Sequence, residues 1–310
     1  MSKRFLFSSI AILALIALPP LATALGEPFY VDLVRRIMIL AIAAVSLNLI
    51  LGYGGLVSFG HAAYLGIGAY AVGILAFYGV TNGWLQLAAA IGASALVAAA
   101  IGAISIRASG VYFIMITLAF TQMLYYLGIS IAEFGGDDGM RLKARSKFPL
   151  IDLGDPTVSY YVALALMVLS VFLVYKIVNS RFGMVLRASK SNEARSRALG
   201  FSPYPYRLAA FVIAGAMCGV AGALYANHTN YLTPGLMSWQ QSGELMFMVI
   251  LGGMASTPGP VLGAFALLLV EELLKGWTEH WQVILGPLLV LSVIFFKRGL
   301  AGIFAGTNEK

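Results

Sequence analysis

Two stretches of the chain mix glycine, proline, hydroxyl and imidazole groups into otherwise apolar sequence: residues 52–61, GYGGLVSFGH, and residues 252–260, GGMASTPGP. Neither continues a helix comfortably, so each reads as a break, with Gly52, Gly54 and Gly55 in the first and Gly252 and Gly253 in the second. Non-helical backbone at membrane depth is tolerated only where protein buries it or a water-filled cavity borders it. Interrupted apolar segments, one in each half of a chain, point to a translocation pathway. Plain kinks or close-packing glycines are the structural alternative. Around the breaks lie Asn48, Ser58, His61, Thr117, Gln122 and Glu244, with Ser256 and Thr257 inside the second. Helix N-terminal amides near residues 58–61 and 256–257 could meet a carboxylate. Asn48, Thr117 and Gln122 also read as interhelical hydrogen-bond partners, and His61 as a packed, satisfied histidine.

Covalent chemistry is not expected. The chain has no GxxxxGK[ST] for binding nucleotide phosphates and no HExxH for a metal-dependent protease. GLVSFG, residues 55–60, has the wrong spacing for a nucleophile elbow. Cys218 is the single cysteine, so no disulfide and no cysteine-built metal site is available. The apolar segments also lack the carboxylate series of a proton-driven pump. The expectation is a passive path without catalytic residue, metal or cofactor of its own, moved by something outside it.

The elements that position these groups follow from composition. A chain of 310 residues that is 60% hydrophobic and 11% charged cannot hide its apolar surface in a soluble core, so it reads as an all-α polytopic membrane protein. Its net charge of +7 is explained by topology, not by nucleic acid, because the basic residues cluster in loops between apolar segments. The longest basic run, residues 181–207, is assigned to the cytoplasmic side. Counting outward from it gives about ten spans with both termini cytoplasmic: residues 5–25, 31–51, 60–78, 84–106, 111–132, 157–178, 208–227, 241–251, 261–274 and 281–296. Of the 20 Lys and Arg residues, Arg35, Arg36, Arg141, Lys143, Arg145, Lys147 and Lys275 alone fall outside the cytoplasmic end, while Lys297 and Arg298 follow the last span on the inside.

The first segment is read as a retained span, a cleavable signal being the alternative. Residues 1–310 form a single transmembrane domain, with residues 133–156 as the main external loop and 179–207 as the cytoplasmic loop. Within that loop, residues 191–199 read as a short helix capped at Ser191 or Asn192 and stopped at Gly200. By charge alone it is a solvated basic loop. Two GxxxG pairs, Gly215 with Gly219 and Gly259 with Gly263, predict close helix packing.

Several stretches resemble one family, the LivM-type permease subunits of bacterial branched-chain amino acid ABC importers. They are LNLILGYGG at 47–55 running into SFGHAAYLGIGAY at 58–70, residues 112–120, GGDDG at 135–139, residues 192–200, AGALY at 221–225, residues 248–253 with GPVLG at 259–263, and RGL at 298–300. The resemblance implies inward transport of hydrophobic amino acids such as leucine, isoleucine and valine across the bacterial inner membrane. It also implies a second, LivH-type permease, two cytoplasmic LivG/LivF-type ATPases that use ATP and Mg, and a periplasmic binding protein. By the same resemblance, Arg187, Asn192, Glu193, Ala194, Arg195, Arg197, Leu199 and Gly200 form the segment that docks on an ATPase. The segment departs from the EAAxxxG pattern of importers generally, since Arg195 replaces the second alanine and the glycine falls one place later. Permeases for urea, amides or other amino acids, an ion-coupled transporter, and an intramembrane enzyme using Ser58 and His61 are the competing readings.

Overall fold

The computed structural model describes residues 3–149, 151–295 and 299–304. The helices in order are α1 (Lys3–Leu25), α2 (Pro28–Asn48), α3 (His61–Phe77), α4 (Gly83–Ser105), α5 (Val111–Ser130), α6 (Pro156–Val178), α7 (Arg181–Ser191), α8 (Glu193–Ala198), α9 (Pro203–Thr229), α10 (Trp239–Gly252), α11 (Gly259–Lys275), α12 (Trp281–Phe295) and α13 (Gly299–Phe304). A helix therefore lies over each predicted span. Among the described residues, five helices are long and apolar enough to cross a membrane: α2 with its extension to Tyr53, α4, α5, α6 and α9. The pair flanking the second break is shorter, with 14 residues in α10 and 17 in α11. Residues 296–298, and with them Lys297 and Arg298, lie outside the described residues.

α2 is the hub. Residues 37–50 are almost wholly buried, and α6, α9, α10 and α11 pack around them. A second layer of α3, α4 and α9 closes on small residues: a side chain at Gly68 would strike Gly219, and one at Gly222 would strike the Leu65 carbonyl. Gly259 and Gly263 do the same between α11 and α10. Both GxxxG pairs thus sit where backbones approach closely.

The prolines of α1 show how lipid-exposed helices settle their accounts. Pro19 and Pro20 cannot donate to the carbonyls four residues back, Leu15 and Ile16. Those two carbonyls accept hydrogen bonds from the Tyr160 and Tyr161 hydroxyls of α6, at 2.8 and 3.1 Å. Neighbouring side chains re-satisfy what the prolines free, and α1 is thereby docked on the bundle.

The loops add to the sequence reading in two places. The basic loop holds two helices, not one, because Ser180 caps α7 before Asn192 caps α8. The stop at Gly200 stands, with φ +85. The segment 133–156 is folded: β1 (Met140–Arg141) pairs antiparallel with β4 (Tyr231–Leu232), and β2 (Lys147–Phe148) with β3 (Ile151–Asp152). Arg35 and Arg36, the exceptions to the charge rule, have acidic partners. Arg35 pairs with Asp32, and Arg36 lies 4.0 Å from Glu271, which also accepts from Lys275 at 2.5 Å.

Candidate translocation and coupling site

The first break begins inside a helix. After Asn48 the helix loosens into a π-turn, Leu49–Tyr53, in which Gly54 N–H reaches the Leu49 carbonyl at 3.2 Å. π-turns mark functional sites often enough to be noted. Gly55 then takes φ +71 and residues 54–60 run without regular structure until α3 starts at His61. Ser58 is buried, and its Oγ accepts from Gly60 N–H at 3.1 Å. Gly60 sits against Thr117 of α5, whose carbonyl would be 3.0 Å from a Cβ there.

His61 is fully buried. Its Nε2 is 2.8 Å from Ser46 Oγ, its carbonyl accepts from Cys218, and its ring meets Tyr64 edge-on. The ring is packed among its neighbours, and its Nδ1 is buried without a partner among the described residues. Ala62 N–H is taken by Ser242 Oγ at 3.0 Å and Ala63 N–H by the Gly60 carbonyl. Of the amides at residues 58–61, that of Gly60 is thus engaged within the protein, as are the next two along α3.

The structure joins the two breaks directly. Asn48, wholly buried, donates from Nδ2 to the Ser256 carbonyl at 2.9 Å and accepts at Oδ1 from Ala255 N–H at 3.1 Å. Tyr53 and Thr257 hydroxyls lie 3.2 Å apart. Gly52 leaves room for this contact, since a Cβ there would press on Asn48 and Ala255. Gly252 is packed against Gly259, and Gly253, at φ +113, against Gly299. Gln122 and Glu244 are not part of this junction. Gln122 Oε1 is buried without a partner among the described residues, and Glu244 accepts from Gln241 at 2.8 Å.

The basic loop is organised around one carboxylate. Glu193 accepts from Arg197 at 2.5 Å and from Arg207 at 2.8 Å, and Arg207 also donates to the Ser189 carbonyl. Partial burial pushes the Glu193 carboxyl up, but the hydrogen bonds and charges of Arg207 and Arg197 outweigh it and hold the group below the usual carboxylate range. Arg187, Asn192, Ala194, Arg195, Arg197, Leu199 and Gly200 are exposed. Beside them opens a groove of about 380 Å³ lined by Arg197 and residues 200–204.

Sequence reasoning missed Ser46, and it missed Tyr53, Ser242 and Lys190, whose partners are far away in the chain. It also missed a second cavity of about 240 Å³ between α3, α4 and α5, lined by Ile67, Tyr70, Leu124, Leu127 and Met237 among others.

A bundle of apolar helices around two interrupted segments, with a folded basic loop against one of them, is the architecture of a multi-pass membrane transport component. The profile of the family described as "Branched-chain amino acid transport system / permease component" matches residues 29–293, and the chain belongs to that family. It is 29% identical to the high-affinity branched-chain amino acid transport system permease protein LivM of Salmonella typhimurium, over 90% of this chain and 73% of that protein. The Escherichia coli permease protein LivH is 24% identical over 84% of this chain and 91% of its own length, and a probable LivM of Methanocaldococcus jannaschii is 26% identical over 83% and 85%. No solved structure matches the chain.

Proposed function

We propose that the chain is the membrane subunit of an ATP-driven importer that carries branched-chain amino acids across the bacterial inner membrane. It spans the membrane about ten times with both termini in the cytoplasm, and residues 5–25 are a retained span, a reading supported by the bonds of Tyr160 and Tyr161 to Leu15 and Ile16. It pairs with a second, related permease. The chain binds no nucleotide; ATP and Mg serve two cytoplasmic ATPases, and a binding protein delivers the solute from outside.

The observation that carries this reading is the construction of the basic loop. α7 and α8 form a charged unit held together by Glu193 and Arg207, with Leu199 69% exposed beside an open groove, while the unit's inner face touches the first break. A loop that only fixed topology would need none of this order. The 240 Å³ cavity, with mainly aliphatic and aromatic walls, suits an aliphatic side chain.

The test is uptake of labelled leucine into vesicles holding this chain with its companion permease, ATPases and binding protein. ATP-dependent uptake that requires every component is expected. Uptake by this chain alone, driven by an ion gradient, would replace the reading with a secondary transporter. In the same assay Arg195→Glu with Arg197→Glu should lose ATPase co-purification, and unchanged co-purification and uptake would remove α8 from the docking surface.

A further inference from the structure

The end of α2 is held from two directions. Within the π-turn region the carbonyls of Leu49, Ile50 and Leu51 accept from Gly54, Leu56 and Gly55 respectively. The next carbonyl, that of Gly52, accepts from Lys190 Nζ of α7 at 2.6 Å, across 138 residues of sequence. The lysine stem runs over Gly55, where a Cβ would lie 2.8 Å from Lys190 Cγ. A cation at the C-terminal end of a long helix meets both its unpaired carbonyls and the negative end of its dipole. One turn back along the same helix, Asn48 holds Ala255 and Ser256 of the second break.

We propose that Lys190 is a positioning residue, a strut through which displacement of α7 is carried to the end of α2 and so to both breaks at once. The proposal rests on reading α7 and α8 as the ATPase-facing unit, and it adds the residue that connects this unit to the path. α7 reaches the first break through this side chain, and α8 and Arg207 fix α7 in turn through Glu193 and the Ser189 carbonyl. A push on the exposed face of α8 therefore has a hydrogen-bonded route, Arg207 to Ser189, Lys190 to Gly52, and Asn48 to Ser256, that ends at the second break.

Lys190→Met keeps the stem over Gly55 and removes the donor and the charge, whereas Lys190→Arg keeps both. In the reconstituted complex, Lys190→Met should leave ATPase co-purification and basal hydrolysis within about twofold of the parent while lowering leucine uptake per ATP hydrolysed about tenfold, and Lys190→Arg should restore much of that ratio. A parental ratio for Lys190→Met, or a loss of uptake that only follows the amount of assembled complex, overturns the strut. Hydrogen exchange on the same complexes gives a second measure that does not depend on transport. Lys190→Met should speed exchange at residues 54–56 and 255–256 together and leave α4 unchanged, and protection kept in both breaks overturns the strut. If the parental complex shows no ATP-driven uptake, it is the importer reading that fails, and the exchange result still decides the role of Lys190.

Discussion

The two breaks are alike in sequence and unlike in construction. The first, residues 54–60, is mostly buried and closes its backbone groups mainly on its near neighbours: Ser58 takes the Gly60 amide, and the Leu56 and Gly55 amides return to Ile50 and Leu51. The second, residues 253–258, is exposed at Met254, Ala255 and Pro258, and is held chiefly by groups lent from α2. One is closed locally and the other hangs from the end of α2. Interruption of a membrane helix is thus not one structural event. What decides its character is where the freed backbone groups find partners.

The largest expected effect breaks this contrast at its source. Asn48→Leu leaves the Ala255 amide and the Ser256 carbonyl without their side-chain partner, and should cost about 2–4 kcal/mol. A lowered unfolding temperature in detergent, with increased thiol labelling of a cysteine placed at Met254 and unchanged labelling at Val57, is the expected pattern. Equal changes at the two positions would mean that the breaks are one unit.

A third interruption sharpens the comparison. At Pro19 and Pro20 the freed carbonyls are held by tyrosines of another helix, as the second break is held by α2. Tyr160→Phe removes one such bond without changing volume, and about 1 kcal/mol should be lost. Its signature is easier proteolysis between α1 and α2 at unchanged protection of the remaining helices.

The basic loop supplies a charged counterpart with a pH sign. Because the Glu193 carboxyl is held below its usual range, its contribution to stability is complete above that range and is lost as pH falls through the lowered value. The loop is partly exposed, so the effect is about 1 kcal/mol or less. Glu193→Gln should flatten the acid side of the unfolding-temperature profile, and a profile identical to the parent would show that Arg207 and Arg197 do not depend on this carboxylate.

Helix positions were legible because a bilayer demands long apolar runs. Gly52 to Gly55 and Gly252 to Gly253 were legible as breaks because glycine clusters have few other uses inside such runs. The partners were not. Asn48 reads as generic hydrogen-bond glue until its bonds to Ala255 and Ser256 are seen, and Lys190 is one of several cations in residues 181–207. His61 reads as a packed histidine from its apolar setting, but its neighbours do not follow from that: Ser46 of α2 and Cys218 of α9 meet it from other helices, and Tyr64 one turn on in α3. The short strand pairing of residues 140–141 with 231–232 left no periodic signal, since two residues cannot show one.

The smallest expected effect isolates backbone strain in the hanging break. Ala255 adopts φ 59, a conformation that costs an L-residue about 1 kcal/mol, where the first break places Gly55 at φ +71. Ala255 is exposed, so its methyl group contributes little packing to lose. Ala255→Gly removes the strain but adds freedom to the unfolded chain, leaving a net gain of about 0.5 kcal/mol. A slightly raised unfolding temperature is therefore expected. A lowered one would mean that the Asn48 bonds no longer hold residue 255 once glycine lets the backbone leave, so that the alanine itself helps to keep the second break in place.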